Sequence, residues 1–290
     1  MTPDICIYHS PCVDGFTAAW AIRQRWPDIE FYPGVHGESP PDVTGKNVLF
    51  VDFSYKQPVL LKMAEQANHI VVLDHHKSAM EDLRPFNCEE IKGEPLEFAD
   101  GCKYCLEAKF DMDRSGALLA WEYAFPDVPA PSLVRHVSDR DLWKFDLPGT
   151  REINADLFSM PYDFDVYSRF AEELETATGR TIHLVSGEAI ERKHHKDVEE
   201  LLAFCTREMV IGGYSVKVAN MPYTMASDAA SILSKDGPFG ACYYDAANGD
   251  RVFSLRSRGG FDVSKVAAFY GGGGHAAASG FRMPRGWEGE

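Results

Sequence analysis

Histidine and aspartate recur in this chain at the points where short apolar runs stop. His9 follows Ile5–Tyr8, with Cys12, Asp14 and Gly15 in the turn behind it. Asp52 follows Val48–Val51, and Asp74-His75-His76 follows Ile70–Leu73. Further along, Asp139 and Asp141 flank Arg140 after an apolar segment ending at Val137. Imidazole and carboxylate together are donors for divalent cations. A single Asp behind a strand is commonly a turn former, and Asp139-Arg140-Asp141 alone reads as a surface salt-bridge cluster. Three strand ends carrying these residue types together read as a metal site.

The elements that must position these residues alternate in character. Apolar runs at Ile5–Tyr8, Asn47–Phe53 and His69–Leu73 are separated by helix-like segments at Asp14–Trp26 and Pro58–Ala67. Continuous apolar strands joined by helices predict βαβ units and a parallel sheet covered on both faces. In such sheets ligands bind outside the carboxyl ends of the strands, where His9, Asp52 and Asp74 stand. Ser115 is placed to cap a helix through Gly116–Tyr123, and another helix is expected over Ser132–Val137. Cys88–Asp113 has no trustworthy period and reads as a loop or small insertion. A charged helical segment, Glu188 through Glu200, suits a connector. Beyond it, strands are expected at Gly213–Ala219, Gly240–Tyr244 and Val252–Arg256, with helices at Ser227–Leu233 and Val263–Phe269. The predicted fold class is α/β, a parallel-sheet N-terminal domain and a smaller α/β C-terminal domain. The expected boundaries are 1–185, a helical connector at 186–204, and 205–290.

Composition narrows the partners. The formal net charge of −15 argues against holding long duplex nucleic acid, whose affinity comes mainly from phosphate neutralisation by basic groups. A small phosphorylated substrate stays compatible, because bound cations invert the field of an acidic pocket. No apolar run is long enough to cross a bilayer, so no membrane partner is expected. The N-terminus lacks the pattern of a secretory signal. Seven cysteines, an odd number over a long chain, read as reduced thiols in a cytoplasmic protein. Cys102 and Cys105 with Cys88 have ligand-like spacing at one end only, with no fourth ligand in view. His194-His195 lies in the charged connector and reads as solvated.

Near the C-terminus stands Gly271-Gly272-Gly273-Gly274-His275, preceded by Ser254-Leu255-Arg256-Ser257 and by Arg258. Glycines let backbone N–H groups approach an anion closely, and arginine offers a planar fork for phosphate. A flexible linker is the plainer alternative. Arg256, Arg258, Gly272, Gly273, Gly274 and His275 are the candidate substrate-binding residues.

In this order, with Asp-His-His and the glycine–histidine run, nearly the whole chain resembles the DHH phosphoesterase superfamily and its associated C-terminal domain. That superfamily includes nanoRNases, single-strand exonucleases, cyclic-dinucleotide phosphodiesterases, exopolyphosphatases and family II pyrophosphatases. The resemblance implies a two-metal centre in an interdomain cleft. His9 and Asp52 would hold one cation, and Asp14, His75 and Asp139 the other, with Asp52 bridging. Asp74 would orient an imidazole, and His76 would face the phosphate. Mn²⁺ suits this set, with Mg²⁺ or Co²⁺ as alternatives, and the chemistry would be ester hydrolysis by a metal-activated water.

The first loop departs from the related pattern His-x-x-x-Asp-x-Asp-Gly, because Cys12 stands where its first Asp would be. Cys12 is therefore a further candidate ligand, and thiolate favours softer ions than Mn²⁺. Three outcomes stay open: a two-metal site with altered preference, a one-metal enzyme, or a binding protein without turnover. The expected function is hydrolysis of small phosphorylated substrates, short single-stranded oligonucleotides or nucleotide derivatives. Polyphosphate or pyrophosphate hydrolysis is the alternative enzyme, and a nucleotide-binding regulator the alternative of another class.

Overall fold

The computed structural model describes residues 2–93, 96–97, 103–258 and 260–290. Contacts divide the chain into two compact units, Met1–Glu191 and Arg192–Glu290.

The first unit is built on five parallel strands: β1 (Ile5–His9), β2 (Glu30–Gly34), β3 (Asn47–Val51), β4 (His69–Asp74) and, after the short pair β5 (Leu96–Glu97) and β6 (Lys103–Tyr104), β7 (Leu106–Phe110). Their order is β2-β1-β3-β4-β7. Alternate residues of the apolar runs serve opposite faces. Cys6, Leu49, Val51, Val71 and Leu73 face one core, and Ile5, Ile7, Val48, Phe50, Ile70 and Val72 the other. Fully burying each Val, Leu or Ile stabilises the fold by about 1.5–3 kcal/mol, so both faces demand a cover.

Helices supply it. On one face pack α1 (Val13–Arg25) and, after α2 (Gln57–Ala64) and α3 (Lys77–Asp82), α4 (Gly116–Ala124), α5 (Ser132–Asp141), α6 (Thr150–Phe158) and α7 (Phe164–Leu174). On the other face Leu60 and Met63 of α2 pack with Phe53, Tyr55, Leu83 and Phe86. The long α8 (Ala177–Cys205) contains the division between the units.

The sequence reading differs from this in several places. Cys88–Asp113 is not only loop: it carries β7, whose Leu106 and Ala108 are wholly buried at a sheet edge. Alternation there is short and interrupted by Glu107, which hides a strand from pattern reading. The helix expected over Ser132–Val137 runs on to Asp141, and β2, α3, α6 and α7 are additions to the expected elements. Cys102 lies outside the described residues, while the Cys88 thiol donates to the Ala108 carbonyl at 3.4 Å.

The second unit holds a six-stranded mixed sheet ordered β12-β13-β11-β10-β9-β8. Its strands are β8 (Thr206–Ile211), β9 (Tyr214–Asn220), β10 (Phe239–Asp245), β11 (Asp250–Ser257), β12 (Gly273–Gly274) and β13 (Ala278–Pro284), with helices α9 (Ala226–Leu233) and α10 (Val263–Phe269). One core lies under α10 and includes Phe239, Phe253, Leu255 and Phe281. A second, with Ala219, Met221 and Cys242, lies under α9. Among the described residues no helix is long and apolar enough to cross a membrane.

Candidate metal centre

Register places the site. Tyr8 pairs with Val51, and Val51 with Leu73, so the next residues, His9, Asp52 and Asp74, stand level on three neighbouring strand ends. Adjacent strands are about 4.8 Å apart, which brings their side chains within reach of one another. Asp52 takes up a left-handed backbone conformation, with φ of 56°, and so turns its carboxylate out of the strand direction.

The carboxylate of Asp52 faces His75 and His9 most closely, with His76 Nδ1 3.9 Å from its Oδ1. Its Oδ1 lies 3.1 Å from His75 Nε2, and its Oδ2 lies 3.4 Å from His9 Nδ1. The second pair is buried, yet neither atom makes a hydrogen bond. Asp14 enters from the first turn of α1 and is met by α4: Gly116 N donates to Oδ2 at 2.6 Å and Ala117 N to Oδ1 at 3.2 Å. A helix N-terminus presenting two N–H groups is a suitable seat for a buried carboxylate. Asp14 Oδ2 is 3.8 Å from His75 Nε2, and Asp141 Oδ2 is 3.5 Å from the same nitrogen. Asp74 Oδ1 accepts from His75 N at 2.7 Å and lies 2.7 Å from His76 Nδ1, which fixes that ring.

Donor atoms of Asp14, His75 and Asp141 therefore gather in one cluster, those of His9, Cys12 and Asp52 in another, and those of Asp52, Asp74, His75 and His76 in a third. Of the residues expected from sequence, His9, Cys12, Asp14, Asp52, Asp74, His75 and His76 come together. Asp139 does not. Its carboxylate is consumed by the turn after α5, accepting from Asp146 N at 2.8 Å, Leu147 N at 3.0 Å and the Thr150 hydroxyl at 2.5 Å. Those bonds hold its pKa below the usual carboxylate range, although burial works the other way.

Asp141 occupies the place expected for Asp139, and helix phase explains the exchange. Residues two apart on a helix diverge by roughly 200°, so only one of the two acids can face the site. Asp141 continues the stripe of Val134 and Val137, both buried against the sheet side, whereas Asp139 shares its face with His136, whose Nδ1 also bonds Thr150. Two more neighbours carried no sequence pattern. Gly116 is placed where a side chain would strike Asp52, and the exposed His36 has its ring 5.5 Å from that of His9.

The charges in this cluster are mismatched without a cation. Burial, then Asp141 and Asp52, push Asp14 well above the usual carboxylate range. Burial opposes the charge of Asp52, but His75 and His9 outweigh it and hold that carboxylate well down. On His75 burial is likewise overcome by Asp52, Asp141 and Asp14, which raise its pKa to about 10. Burial and Asp52 push the Cys12 thiol up to about 11. Three carboxylates crowd one imidazole, and two buried atoms face each other without a hydrogen bond. A divalent cation satisfies both conditions, so the residues present fit a metal.

In the second unit the glycine run is partly structural. A Cβ on Gly272 would meet the Gly280 carbonyl at 2.1 Å, and Gly273 and Gly274 form β12 against β13. Arg256 donates to the Ser227 hydroxyl at 2.6 Å and Arg258 to that of Ser231 at 3.1 Å, so α9 seats both guanidinium groups one helical turn apart. His275 N donates to the Ala278 carbonyl.

No family model matches the chain. Uncharacterized protein R106 of Acanthamoeba polyphaga mimivirus is 30% identical over 302 residues, covering 96% of this chain and 66% of the relative, so the chain spans just under two thirds of that protein's length. Among solved structures, the DHH domain of a protein described as a member of a family of ribosomal proteins superposes with a TM-score of 0.53 at 16% identity, covering 97% of this chain and 82% of that one. The chain has the DHH fold. The pGpG-specific phosphodiesterase PggH of Vibrio cholerae also matches, with a TM-score of 0.44 and 14% identity over 97% of this chain and 93% of that one. Within the DHH fold, the Asp74-His75-His76 segment is the end of β4 and the turn behind it.

Proposed function

We propose that this protein is a divalent-metal-dependent phosphoesterase acting on small phosphorylated substrates, with short single-stranded oligonucleotides or nucleotide derivatives as the favoured class. One observation carries the reading: Asp14, Asp52, His75 and Asp141 converge, and Asp52 reaches His9 with its other oxygen. A shared carboxylate between two donor clusters suits a pair of cations. Asp14, His75 and Asp141 offer oxygen and nitrogen donors suited to Mn²⁺, with Mg²⁺ or Co²⁺ as substitutes. A bound cation supplies electrophilic charge to phosphoryl oxygens and acidifies water near neutral pH.

The chain's own residues do the rest. Asp74 fixes the ring and the backbone N–H of His76, whose partly exposed imidazole is then aimed to donate to a phosphate oxygen. The N–H groups of Gly116 and Ala117 keep Asp14 in place against its acidic neighbours. In the second unit we assign substrate binding to Arg256, Arg258, Gly272, Gly273, Gly274 and His275, the arginines being pre-seated by Ser227 and Ser231. Pre-seating lowers the ordering cost of binding a phosphate.

The test is a substrate panel of short oligonucleotides, cyclic dinucleotides, 3′,5′-bisphosphates and polyphosphate, each with Mn²⁺ and with excess chelator. Hydrolysis of the nucleotide substrates that chelator abolishes and Mn²⁺ restores is the expected result. Turnover confined to polyphosphate would move the protein to the other substrate class. Binding without turnover across the panel and across metals would make it a regulator.

A further inference from the structure

The centre described above does not use one kind of donor. Its two halves differ in softness, and the difference starts at Cys12. This residue is the N-cap of α1, in extended conformation with φ of −150°, yet its side chain makes no capping hydrogen bond. An N-cap oxygen normally turns back to accept from the helix N–H groups. Here Sγ instead joins the donor atoms of His9 and Asp52, all three lying within 4.8 Å of one another.

The partners of that sulfur are arranged like ligands. Asp52 is 2% exposed, and its Oδ2 and His9 Nδ1 are buried without a hydrogen bond, 3.4 Å apart. Two donors at bond lengths of about 2.0–2.2 Å on a tetrahedral ion are separated by about 3.3–3.6 Å. The pair already has that spacing. The third donor is a thiol, and sulfur with imidazole and carboxylate favours Zn²⁺ over Mn²⁺ or Mg²⁺. Across Asp52, the cluster of Asp14, His75 and Asp141 offers no sulfur. The other described cysteines stand elsewhere: Cys6 and Cys242, for instance, are buried in strands of the two sheets.

We propose that the centre is asymmetric, with His9, Cys12 and Asp52 forming a thiolate position selective for Zn²⁺-like ions beside a harder position at Asp14, His75 and Asp141. The inference rests on the metal-centre reading given under Proposed function. Binding replaces the thiol proton with the cation, and the released proton goes to solvent. Replacing Cys12 by Asp would make both positions hard.

Cobalt distinguishes the alternatives without recourse to activity. Co²⁺ in a site gives visible d–d absorption, and a Co²⁺–thiolate bond adds a near-ultraviolet charge-transfer band. The full-length protein is titrated with Co²⁺ as wild type, Cys12→Ser, Cys12→Asp and Asp52→Asn, with circular dichroism to confirm folding. Competition between Zn²⁺ and Mn²⁺ is then measured by calorimetry. The expected result is a charge-transfer band in wild type that vanishes in Cys12→Ser and Cys12→Asp while d–d absorption persists. The Zn²⁺:Mn²⁺ affinity ratio should fall in Cys12→Asp by at least roughly tenfold, the lower range for disturbing even an outer partner of a metal ligand. If d–d absorption depends on Asp52 but no band depends on Cys12, the thiolate position is overturned and the metal centre stands. If no Co²⁺ absorption depends on Asp52, the metal centre falls and this inference with it.

Discussion

A methyl group placed on Gly116 would sit 2.3 Å from Asp52 Cβ, 2.8 Å from its Cγ and 2.9 Å from Asp14 Oδ2. Non-bonded carbons rest at about 3.5–4.0 Å, so Gly116→Ala forces a movement of more than about 1 Å. Neither side yields easily. The N-terminus of α4 is tied to Asp14 by two N–H bonds and packed through Ala117 and Ala120 against α1. Asp52 is tied to His75 and to the β3 strand end. Overpacking of this kind costs about 1–3 kcal/mol of stability. The same movement parts the two carboxylates, and a 1 Å misplacement of reacting groups costs about 100-fold in rate. Urea unfolding, Mn²⁺ calorimetry and turnover on a short oligonucleotide measure the three quantities. The expected outcome is a folded protein with modestly lower stability, Mn²⁺ affinity down by at least about tenfold, and turnover down by about 100-fold. Loss of stability with metal affinity and turnover intact would refute the argument and leave Gly116 a packing glycine.

The two acids of α5 should separate cleanly. Asp141→Asn should abolish turnover and weaken Mn²⁺ binding with little change in unfolding. Asp139→Asn should instead destabilise by about 1–3 kcal/mol, because an amide cannot satisfy all three donors that the carboxylate serves. The Asp139 contribution has a pH signature: its folded pKa is depressed, so the stability is present above the unfolded pKa near 3.9 and is lost as pH falls towards the folded value. The wild-type advantage over Asp139→Asn in urea unfolding should therefore shrink in that acidic window. In the second unit, Arg256→Ala and His275→Ala should raise KM with little change in kcat or metal content, and unchanged kinetics in both would remove them from substrate binding.

How much of this was legible in the sequence depends on how each residue is positioned. The parallel sheet could be read, since runs such as Val48–Val51 and Ile70–Leu73 are apolar on both faces and only a doubly covered strand is. The site residues at strand ends followed, because a strand end has one address at the sheet edge. Residues placed by helix phase were harder: choosing Asp141 over Asp139 needed the stripe through Val134 and Val137 to be carried past the predicted helix end. Gly116 was named only as the start of a helix, since its role comes from close approach of a chain segment a hundred residues from Asp14. β7 escaped for a different reason. Its inward Glu107 pairs with His69 at 3.0 Å and caps Lys92 N and Gly93 N, so a buried charge interrupts the apolar pattern while remaining fully partnered.

Asp52 offers the sharpest test of two shared cations, and its backbone decides how to make it. A left-handed conformation costs an ordinary residue about 1–3 kcal/mol unless its surroundings impose it, and Asp and Asn accept it best. Asp52→Ala would therefore change backbone preference and charge together, whereas Asp52→Asn keeps the shape and removes the charge alone. The two carboxylate oxygens face different partners, Oδ1 towards His75 at 3.1 Å and Oδ2 towards His9 at 3.4 Å. Each donor cluster thus draws on one oxygen, and loss of the charge must be felt by both. A charge-assisted contact is worth about 1.5–3 kcal/mol, or roughly 10- to 150-fold in affinity, at each position. Asp141→Asn touches only the cluster of Asp14 and His75. Calorimetric titration with Mn²⁺ and with Zn²⁺ should show both cations weakened in Asp52→Asn and one cation weakened in Asp141→Asn. A single cation bound at wild-type affinity by Asp52→Asn would mean that one oxygen of Asp52 serves no metal, and the bridging role would have to be given up.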